Sequence, residues 1–260
     1  MRLMPCIYSV GTMEQPTKTI ATSYPLIGIR GDMGAGKDTL AAEIGLYFPE
    51  YTTRKFASKL REAASLIARI PAGQTVSDAD KAIDLSGEPH EAYRLRRRIA
   101  LAIECVTGVE PTPRLSVQMF LILTGEALYV PEEMVNIHMT VGRLLQVLGT
   151  ECFRALVGTD VWVDALMAPW AQEGRPPVVI ADTRFPNESA AIRRAGGVVI
   201  LVRRADAGRA DGRSGGHASE RALDGEAPDF VLDNDGSVAD LRAAFLAAWP
   251  AILAAAESRR

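Results

Sequence analysis

Cysteine is scarce in this chain, and its spacing argues against cysteine-based sites. The 260 residues contain only Cys6, Cys105 and Cys152. They are odd in number and far apart, and no two have the short spacing of a metal-binding pair. This usage fits a reducing compartment, so we predict a cytoplasmic protein.

Long apolar runs and an excess of one charge are also lacking. No uninterrupted run of about 18 apolar residues occurs, and the N-terminus has no adequate hydrophobic signal region, so neither a membrane span nor a signal peptide is expected. The 29 basic and 32 acidic residues leave a net charge of −3. Such a balance provides no global field for nucleic acid, and we expect no direct nucleic-acid partner.

What the chain does contain is the pattern of a single α/β domain. Hydrophobic residues make up 48% of it, enough for a packed core. Short apolar runs at 25–30, 178–181 and 198–204 are typical of buried parallel strands, and helical periodicity lies between them. We predict a parallel sheet flanked by helices over 25–250, after a flexible leader at 1–24.

The most informative stretch is "GDMGAGKDT" at 31–39. Gly31, Gly36 and Lys37 match the phosphate-loop pattern G-x-x-x-x-G-K-[ST] in register. The stretch lies between a predicted strand and a predicted helix, where loop amides and a helix N-terminus can meet a phosphate. This indicates a phosphate-binding loop of a P-loop NTPase fold. The candidate contacts in the loop, which the family resemblance given below assigns to ATP, are Gly31, Met33, Gly34, Ala35, Gly36, Lys37, Asp38 and Thr39.

Asp38 departs from the motif, which has Ser or Thr at this position to bind Mg²⁺. Three explanations are open. The Asp38 carboxylate could bind Mg²⁺ directly or through water, Thr39 could take over the metal, or Asp38 could only favour the helix N-terminus.

A second acid, Asp182, ends the apolar run at 178–181. An acid placed there can hold Mg²⁺ through water or accept a proton from the attacking group, and Arg184 could bridge the donor and acceptor phosphates. The alternatives are an aspartate that only opens a turn, and a structural pair between Glu188 and Arg184. No Asn-Lys-x-Asp motif of guanine-nucleotide switches is present, and Asp182-Thr183 is not the Asp-Glu pair of motor ATPases.

Several blocks together resemble the phage-type deoxynucleoside monophosphate kinases, within the P-loop nucleoside monophosphate kinase superfamily. They are "GDMGAGKDT" (31–39), "KFASKLR" (55–61), "LLQVLGTECFR" (144–154) with "DVWV" (160–163), "DTRFPNE" (182–188), and "HASE" (217–220) with "DNDGS" (233–237). That family carries Gly-x-Gly-Lys-Asp, so the resemblance makes Asp38 an expected feature. Thr183 stands where the family more often has valine.

The resemblance implies phosphorylation of deoxynucleoside 5′-monophosphates by ATP with Mg²⁺, to supply nucleotides for DNA synthesis. It also implies a mostly helical acceptor-binding insert at 55–140, a lid at 203–220 and a small-molecule partner. A homodimer is a further expectation, as is the host cytoplasm as location if a phage encodes the chain. Residues 62–140 match no motif that we can place.

The resemblance also assigns roles by position. Lys37, Asp182 and Arg184 would be catalytic, and Asp38, Thr39 and Asp182 would hold the metal. Gln146 could read a base edge and Arg154 could hold a phosphate, whereas Phe56 and Trp162 could equally be core residues. The acceptor set is Lys55, Phe56, Lys59, Gln146, Glu151, Arg154, Trp162 and Arg184; the lid set is Arg203, Arg204, Arg209, Arg213 and His217; Asn234 and Gly236 would lie near adenine.

Two other functions compete with this one. A different small-molecule P-loop kinase, such as dephospho-coenzyme A kinase, shares endings like "DNDGS" but normally keeps Ser or Thr after the lysine. A nucleotide-binding regulator without transferase activity is the other alternative.

Overall fold

The centre of the molecule, seen in a computed structural model, is a five-stranded parallel sheet. The structure describes residues 24–69, 77, 79–87, 89–205, 207, 223 and 225–259. The sheet order is β2-β5-β1-β6-β7, and every neighbouring pair is parallel. These strands are β1 (Ile27–Arg30), β2 (Thr52–Arg54), β5 (Val178–Ile180), β6 (Val198–Arg203) and β7 (Phe230–Asp233).

The helices account for most of the remaining described chain. They are α1 (Lys37–Tyr47), α2 (Ser58–Ile67), α3 (Ala92–Thr107), α4 (Pro113–Thr124), α5 (Val141–Val147), α6 (Val161–Gln172), α7 (Pro186–Arg194) and α8 (Val238–Glu257). A π-helical segment, Leu148–Arg154, continues α5. Two residues each of β3 (His90–Glu91) and β4 (Met134–Val135) form a small antiparallel pair.

The sheet is covered on both faces, because successive side chains along a strand point to opposite sides. Val179 and Ile200 pack with α1 and α8, whereas Val178 and Val199 pack with α6 and α7. The predicted α/β class, with a parallel sheet flanked by helices, is confirmed.

A helical body stands beside the sheet, built from α2 to α5 and the π-helical segment. Its core is a separate apolar cluster that includes Phe120, Phe153 and Ile99, and Trp162 of α6 joins it. The sheet and the helical body therefore have distinct cores, and the connections between them decide where a site can form.

Three features are not marked by the sequence patterns above. β2 is an edge strand of Thr-Thr-Arg, which has no apolar run to mark it. Helix α5 continues after Val147 with π-helical geometry. The C-terminal helix α8 runs through Pro250 to Glu257.

Helix α8 bears on the expectation that no membrane span is present. In the described part of the chain it is the one helix long and apolar enough to cross a membrane, with a mean hydropathy of 1.5. It places Leu241, Phe245 and Ile252 in the core on one side of the sheet. Length and composition alone are therefore weak grounds for a span in this helix.

Candidate active site

The predicted site residues meet at one edge of the sheet, at the carboxyl ends of three adjacent strands. The phosphate loop, residues 31–36, follows β1, Asp182 follows β5, and Lys55 follows β2. Because β5 lies between β2 and β1, these three segments are neighbours. Open parallel sheets bind their ligands at this edge.

The phosphate loop is held from behind by Asn234, at the end of β7. The Asn234 Nδ2 donates a hydrogen bond to the Ala35 carbonyl oxygen at 2.8 Å, and the residue is buried. Gly36 has a left-handed φ of 100°, and a Cβ there would lie 2.3 Å from this amide nitrogen. The amide nitrogen of Asn234 thus supports the loop and does not face a base. Gly236 lies in the exposed turn before α8.

Lys37 lies across the mouth of the loop. Its Nζ donates to the carbonyl oxygens of Gly31 and Asp32, both at 2.6 Å. Burial lowers the Lys37 pKa, and the positive charge of Arg184 lowers it further. Two cationic side chains close to one another favour an anion between them.

Asp38 and Lys55 form an ion pair between the loop helix and the end of β2. The Lys55 Nζ lies 2.6 Å from the Asp38 Oδ1, and both side chains are exposed. No side-chain hydrogen bond caps α1, but Asp38 lies in its first turn, where a negative charge favours the helix N-terminus.

These residues can be tested for their fit to Mg²⁺. The described part of the chain holds no group of three or more His, Cys, Asp or Glu that could bind a metal. Mg²⁺ is commonly held by one or two carboxylates together with substrate phosphates, which Asp38 and the Thr39 hydroxyl can accommodate.

Asp182 connects the sheet to the helical body. Its Oδ1 accepts the Phe56 backbone N–H at 2.7 Å, and its Oδ2 accepts the Ala57 N–H at 3.0 Å. These amides precede Ser58, the first residue of α2, so the carboxylate satisfies the start of that helix. Burial raises the Asp182 pKa, and the two amides oppose this. Both carboxylate oxygens are engaged, so a metal or proton-transfer role for Asp182 stays a prediction.

Glu188 organises the segment after Asp182, a role that the sequence did not assign. Its Oε2 accepts the backbone N–H groups of Arg184 (2.7 Å) and Phe185 (3.0 Å), and its Oε1 accepts from Arg154 at 3.0 Å. The Arg154 guanidinium also stacks 3.9 Å from the centre of the Phe185 ring. The sequence signal for this role is a glutamate three residues after the N-cap of a helix, here Phe185 at the start of α7. The structural contact between Glu188 and Arg184, an alternative left open by the sequence, is made by the Arg184 backbone N–H.

Burial raises the pKa of Glu188 to about 7, and the charge of Asp182 adds to the rise. The two backbone N–H groups and Arg154 act in the opposite direction. Two acids therefore lie close together behind Arg184, whose own side chain is exposed.

Other predicted acceptor residues lie on α5, the π-helical segment and α2. Arg143, which sequence reasoning missed, donates to Gln146 at 3.4 Å and pairs with Glu151 at 2.9 Å. Its position three residues before Gln146 on α5 was the available signal. Lys59 pairs with Glu62 at 2.6 Å.

Three assignments need correction. Phe56 and Trp162 are only 3% and 4% exposed, and the Trp162 indole N–H already donates to the Gly149 carbonyl oxygen at 3.1 Å, so neither ring offers a face to a base. Arg203 belongs to β6 and pairs with Asp233 on β7, so it is not part of a lid.

Arg204 follows β6 and is exposed. Arg209, Arg213 and His217 lie outside the described residues, as does most of the predicted leader.

Comparison with known proteins agrees with this geometry. The family model described as deoxynucleotide monophosphate kinase matches residues 111–245, more than half of the chain. The chain belongs to the deoxynucleotide monophosphate kinase family. The matched region of this family member contains Arg154, Asp182, Arg184, Glu188 and Asn234. The phosphate loop lies outside it, and the fold brings the two together.

Two individual proteins are similar to this family member. The deoxynucleoside-5′-monophosphate kinase of Escherichia phage T5 is 27% identical over 184 residues, which cover 65% of this chain and 71% of that protein. The crystal structure of TT1252 from Thermus thermophilus has a TM-score of 0.44 and 20% identity, covering 88% of this chain and 99% of that one. The similarity to TT1252 is too slight to support a conclusion about this chain.

The glycine next to Asn234 gives a first prediction. Gly36→Ala should lower the free energy of unfolding by more than about 1 kcal/mol, because the new Cβ meets both the unfavourable positive φ and the Asn234 amide. Gly34→Ala is the matched control for stability, since Gly34 also has a positive φ but nothing lies within 4 Å of its Cβ position. Urea denaturation measures the loss in both variants. Equal losses in the two variants would contradict the contact with Asn234.

Asp182→Asn should destabilise the start of α2. An amide has one acceptor oxygen, so one of the two backbone N–H groups loses its bond, and we expect a loss of about 1–3 kcal/mol in urea denaturation. Thr183→Val is the control, because the buried Thr183 hydroxyl has no hydrogen-bond partner among the described residues and its removal should cost little. An Asp182→Asn variant as stable as the wild type would argue against the connection.

Glu188→Gln should remove a pH dependence of stability. The folded pKa of about 7 lies above the ordinary value of 4.5. The stabilisation from proton binding is therefore fully present below that ordinary value and is lost as the pH rises through about 7. The wild-type free energy of unfolding, relative to the variant's, should fall by on the order of 2 kcal/mol between about pH 5 and about pH 8. If the difference in unfolding free energy between wild type and variant stayed constant across this range, the pKa of Glu188 would not be raised.

Proposed function

We propose that this chain transfers the γ-phosphoryl group of ATP to a deoxynucleoside 5′-monophosphate, giving the diphosphate and ADP. The observation that carries the proposal is the connection at Asp182, which fixes the segment from Lys55 to Lys59 beside the phosphate loop. An acceptor bound at that segment would lie next to phosphates bound in the loop. Membership of the family supports the same reaction.

On the ATP side, the amides of residues 31–36 and the N-terminus of α1 would bind the phosphates. Lys37 would offset the charge that develops on the transferred group. Asp38 and Thr39 would hold Mg²⁺, which when bound neutralises phosphate charge. The Asp38–Lys55 pair links this metal position to the acceptor side.

On the acceptor side, the candidates for the monophosphate are Lys55 and Arg184. Arg154 is already engaged with Glu188 and Phe185, whereas the Arg184 side chain is exposed and close enough to Lys37 to lower its pKa. Arg184 can therefore contact both phosphates. Gln146, Glu151 and Arg143 supply polar groups for the nucleoside.

The proposal extends to the setting of the reaction. The substrates are small molecules, with no nucleic acid or membrane taking part, and the reaction supplies precursors for DNA synthesis in the cytoplasm. Binding and positioning provide the catalysis, since phosphoryl transfer needs little covalent participation by protein side chains.

ADP release from ATP and Mg²⁺ should require a deoxynucleoside monophosphate. We would add dAMP, dGMP, dCMP, dTMP and dUMP in turn, then the ribonucleotides and dephospho-coenzyme A. Lys37→Ala should lower kcat by at least about 100-fold without unfolding the chain, because the charge on the transferred phosphoryl group loses its closest fixed cation. Arg194→Ala serves as the control, because Arg194 is exposed at the last residue of α7, near the start of β6 and so at the opposite edge of the sheet.

The other possible outcomes of this assay would favour different functions. ADP release only in the presence of dephospho-coenzyme A would identify that molecule, and not a deoxynucleoside monophosphate, as the acceptor. ATP binding without release for any acceptor would favour a regulator, and full activity of Lys37→Ala would contradict the role of the loop.

A further inference from the structure

Arg154 joins the helical body to the turn that carries Arg184. It is the last residue of the π-helical segment, and its side chain is only 14% exposed. Its Nη1 donates to the Thr159 carbonyl oxygen at 2.9 Å, and its Nη2 donates to the Glu188 Oε1 at 3.0 Å. The Phe185 ring covers one face of the guanidinium at 3.9 Å. Both terminal nitrogens and one face of this arginine are therefore engaged within the protein.

Asn187, in the first turn of α7, ties the same two segments together. Its Nδ2 donates to the Thr159 carbonyl oxygen at 3.0 Å and to the Asp160 Oδ1 at 2.7 Å. The Thr159 carbonyl oxygen thus accepts hydrogen bonds from both Asn187 and Arg154. The turn at 158–160, which follows the π-helical segment, is in this way fixed against the start of α7.

The Glu188 carboxylate passes this constraint on to Arg184. One of its oxygens is held by Arg154, and the other accepts the backbone N–H groups of Arg184 and Phe185 at 2.7 Å and 3.0 Å. The Glu188 side chain is 4% exposed, so solvent has little access to replace these contacts. Loss of the Arg154 side chain would free the carboxylate to turn, and the backbone at 184–185 would loosen with it.

An arginine that binds a substrate phosphate needs donors that are free to reach the phosphate. If Arg154 turned toward one, it would leave the buried Glu188 carboxylate without its charged partner, which is costly. The Arg184 side chain, in contrast, is exposed, and its charge lowers the Lys37 pKa. Of the two arginines, Arg184 is therefore the one placed to contact phosphates.

We propose that Arg154 is a positioning residue, which acts through Glu188 to hold the backbone of Arg184 and does not bind the phosphate of the acceptor. Its kinetic consequences rest on the phosphoryl transfer proposed above. Transfer between two bound phosphates depends on placement, and a displacement of about 1 Å can cost about 100-fold in rate. A residue that holds Arg184 in place should therefore change the rate of transfer and leave the affinity for the acceptor unchanged.

Steady-state kinetics of Arg154→Met test this separation. Methionine keeps an apolar contact with the Phe185 ring but donates no hydrogen bond. With an acceptor that the wild type uses, kcat should fall by about 10- to 100-fold, while the KM for the acceptor stays within about 2-fold of the wild-type value. Arg154→Lys should recover part of kcat, because an ammonium group can still pair with Glu188.

A double-mutant cycle with Arg184→Ala separates positioning from direct contact. Arg184→Ala alone should lower kcat. Adding Arg154→Met to it should lower kcat by less than about 2-fold further, since the side chain that was being positioned is already gone. If Arg154 itself bound the phosphate, its loss would raise the KM for the acceptor and would cost as much in the double variant as alone.

Hydrogen exchange at the Arg184 and Phe185 amides, followed by NMR, tests the same inference without the reaction. Both amides should exchange about 10-fold or more faster in Arg154→Met than in the wild type. Arg193→Met is the matched control, because Arg193 lies in the last turn of α7, is 24% exposed and pairs with Asp229 at 3.2 Å. This variant also loses an ion pair of α7, but it should keep the wild-type kcat and the wild-type exchange at 184 and 185.

Circular dichroism verifies that each variant is folded. If Arg154→Met does not fold, Arg154→Lys takes its place in every measurement, with losses in the same direction and of smaller size. If no acceptor supports transfer by the wild type, the proposed function fails, and hydrogen exchange alone decides whether Arg154 holds the backbone of Arg184.

Several results would overturn the proposal. They are a raised KM for the acceptor with an unchanged kcat in Arg154→Met, losses that add fully in the double variant, and unchanged exchange at 184 and 185. An equal loss of kcat in Arg193→Met would overturn it as well, because Arg154 would then contribute only to general stability.

Discussion

The arrangement of this molecule depends on the two backbone hydrogen bonds that Asp182 accepts. The sheet and the helical body have separate cores, and a carboxylate at the end of β5 receives the amides that begin the segment leading into α2. A buried acid without donors would be costly, and helix-start amides without acceptors equally so. Each need is met by the other, which places residues 55–59 beside the phosphate loop.

The same principle recurs around the site, where polar side chains hold the backbone in place. Asn234 supports the phosphate loop and Glu188 supports the turn that presents Arg184. Arg184 keeps an exposed side chain, and Lys55 is exposed in its pair with Asp38. The backbone around the site is thus fixed by buried polar side chains, and the side chains that reach the surface are few.

Local patterns made much of this predictable. The phosphate loop and the strands β1, β5 and β6 follow from glycine spacing and apolar runs, and Asp182 follows from its place after β5. Its partners did not follow, because Phe56 and Ala57 are more than 120 residues away in sequence. The polar edge strand β2 has no apolar signature, and the burial of Phe56 and Trp162 depends on packing from distant helices. Arg203 was assigned both to the strand run at 198–204 and to the lid at 203–220, because its pairing with Asp233 on β7 could not be read from the sequence.

Amide hydrogen exchange at Phe56 and Ala57, followed by NMR, tests the central connection most directly. Both amides should be strongly protected in the wild type, because they are bonded to a buried carboxylate, and should exchange about 10-fold or more faster in Asp182→Asn. The Ala181 amide, which donates to the Arg54 carbonyl oxygen within the sheet, is the internal reference and should stay protected. Rapid exchange of Phe56 and Ala57 in the wild type, with Ala181 protected, would contradict the connection on which this account of the site rests.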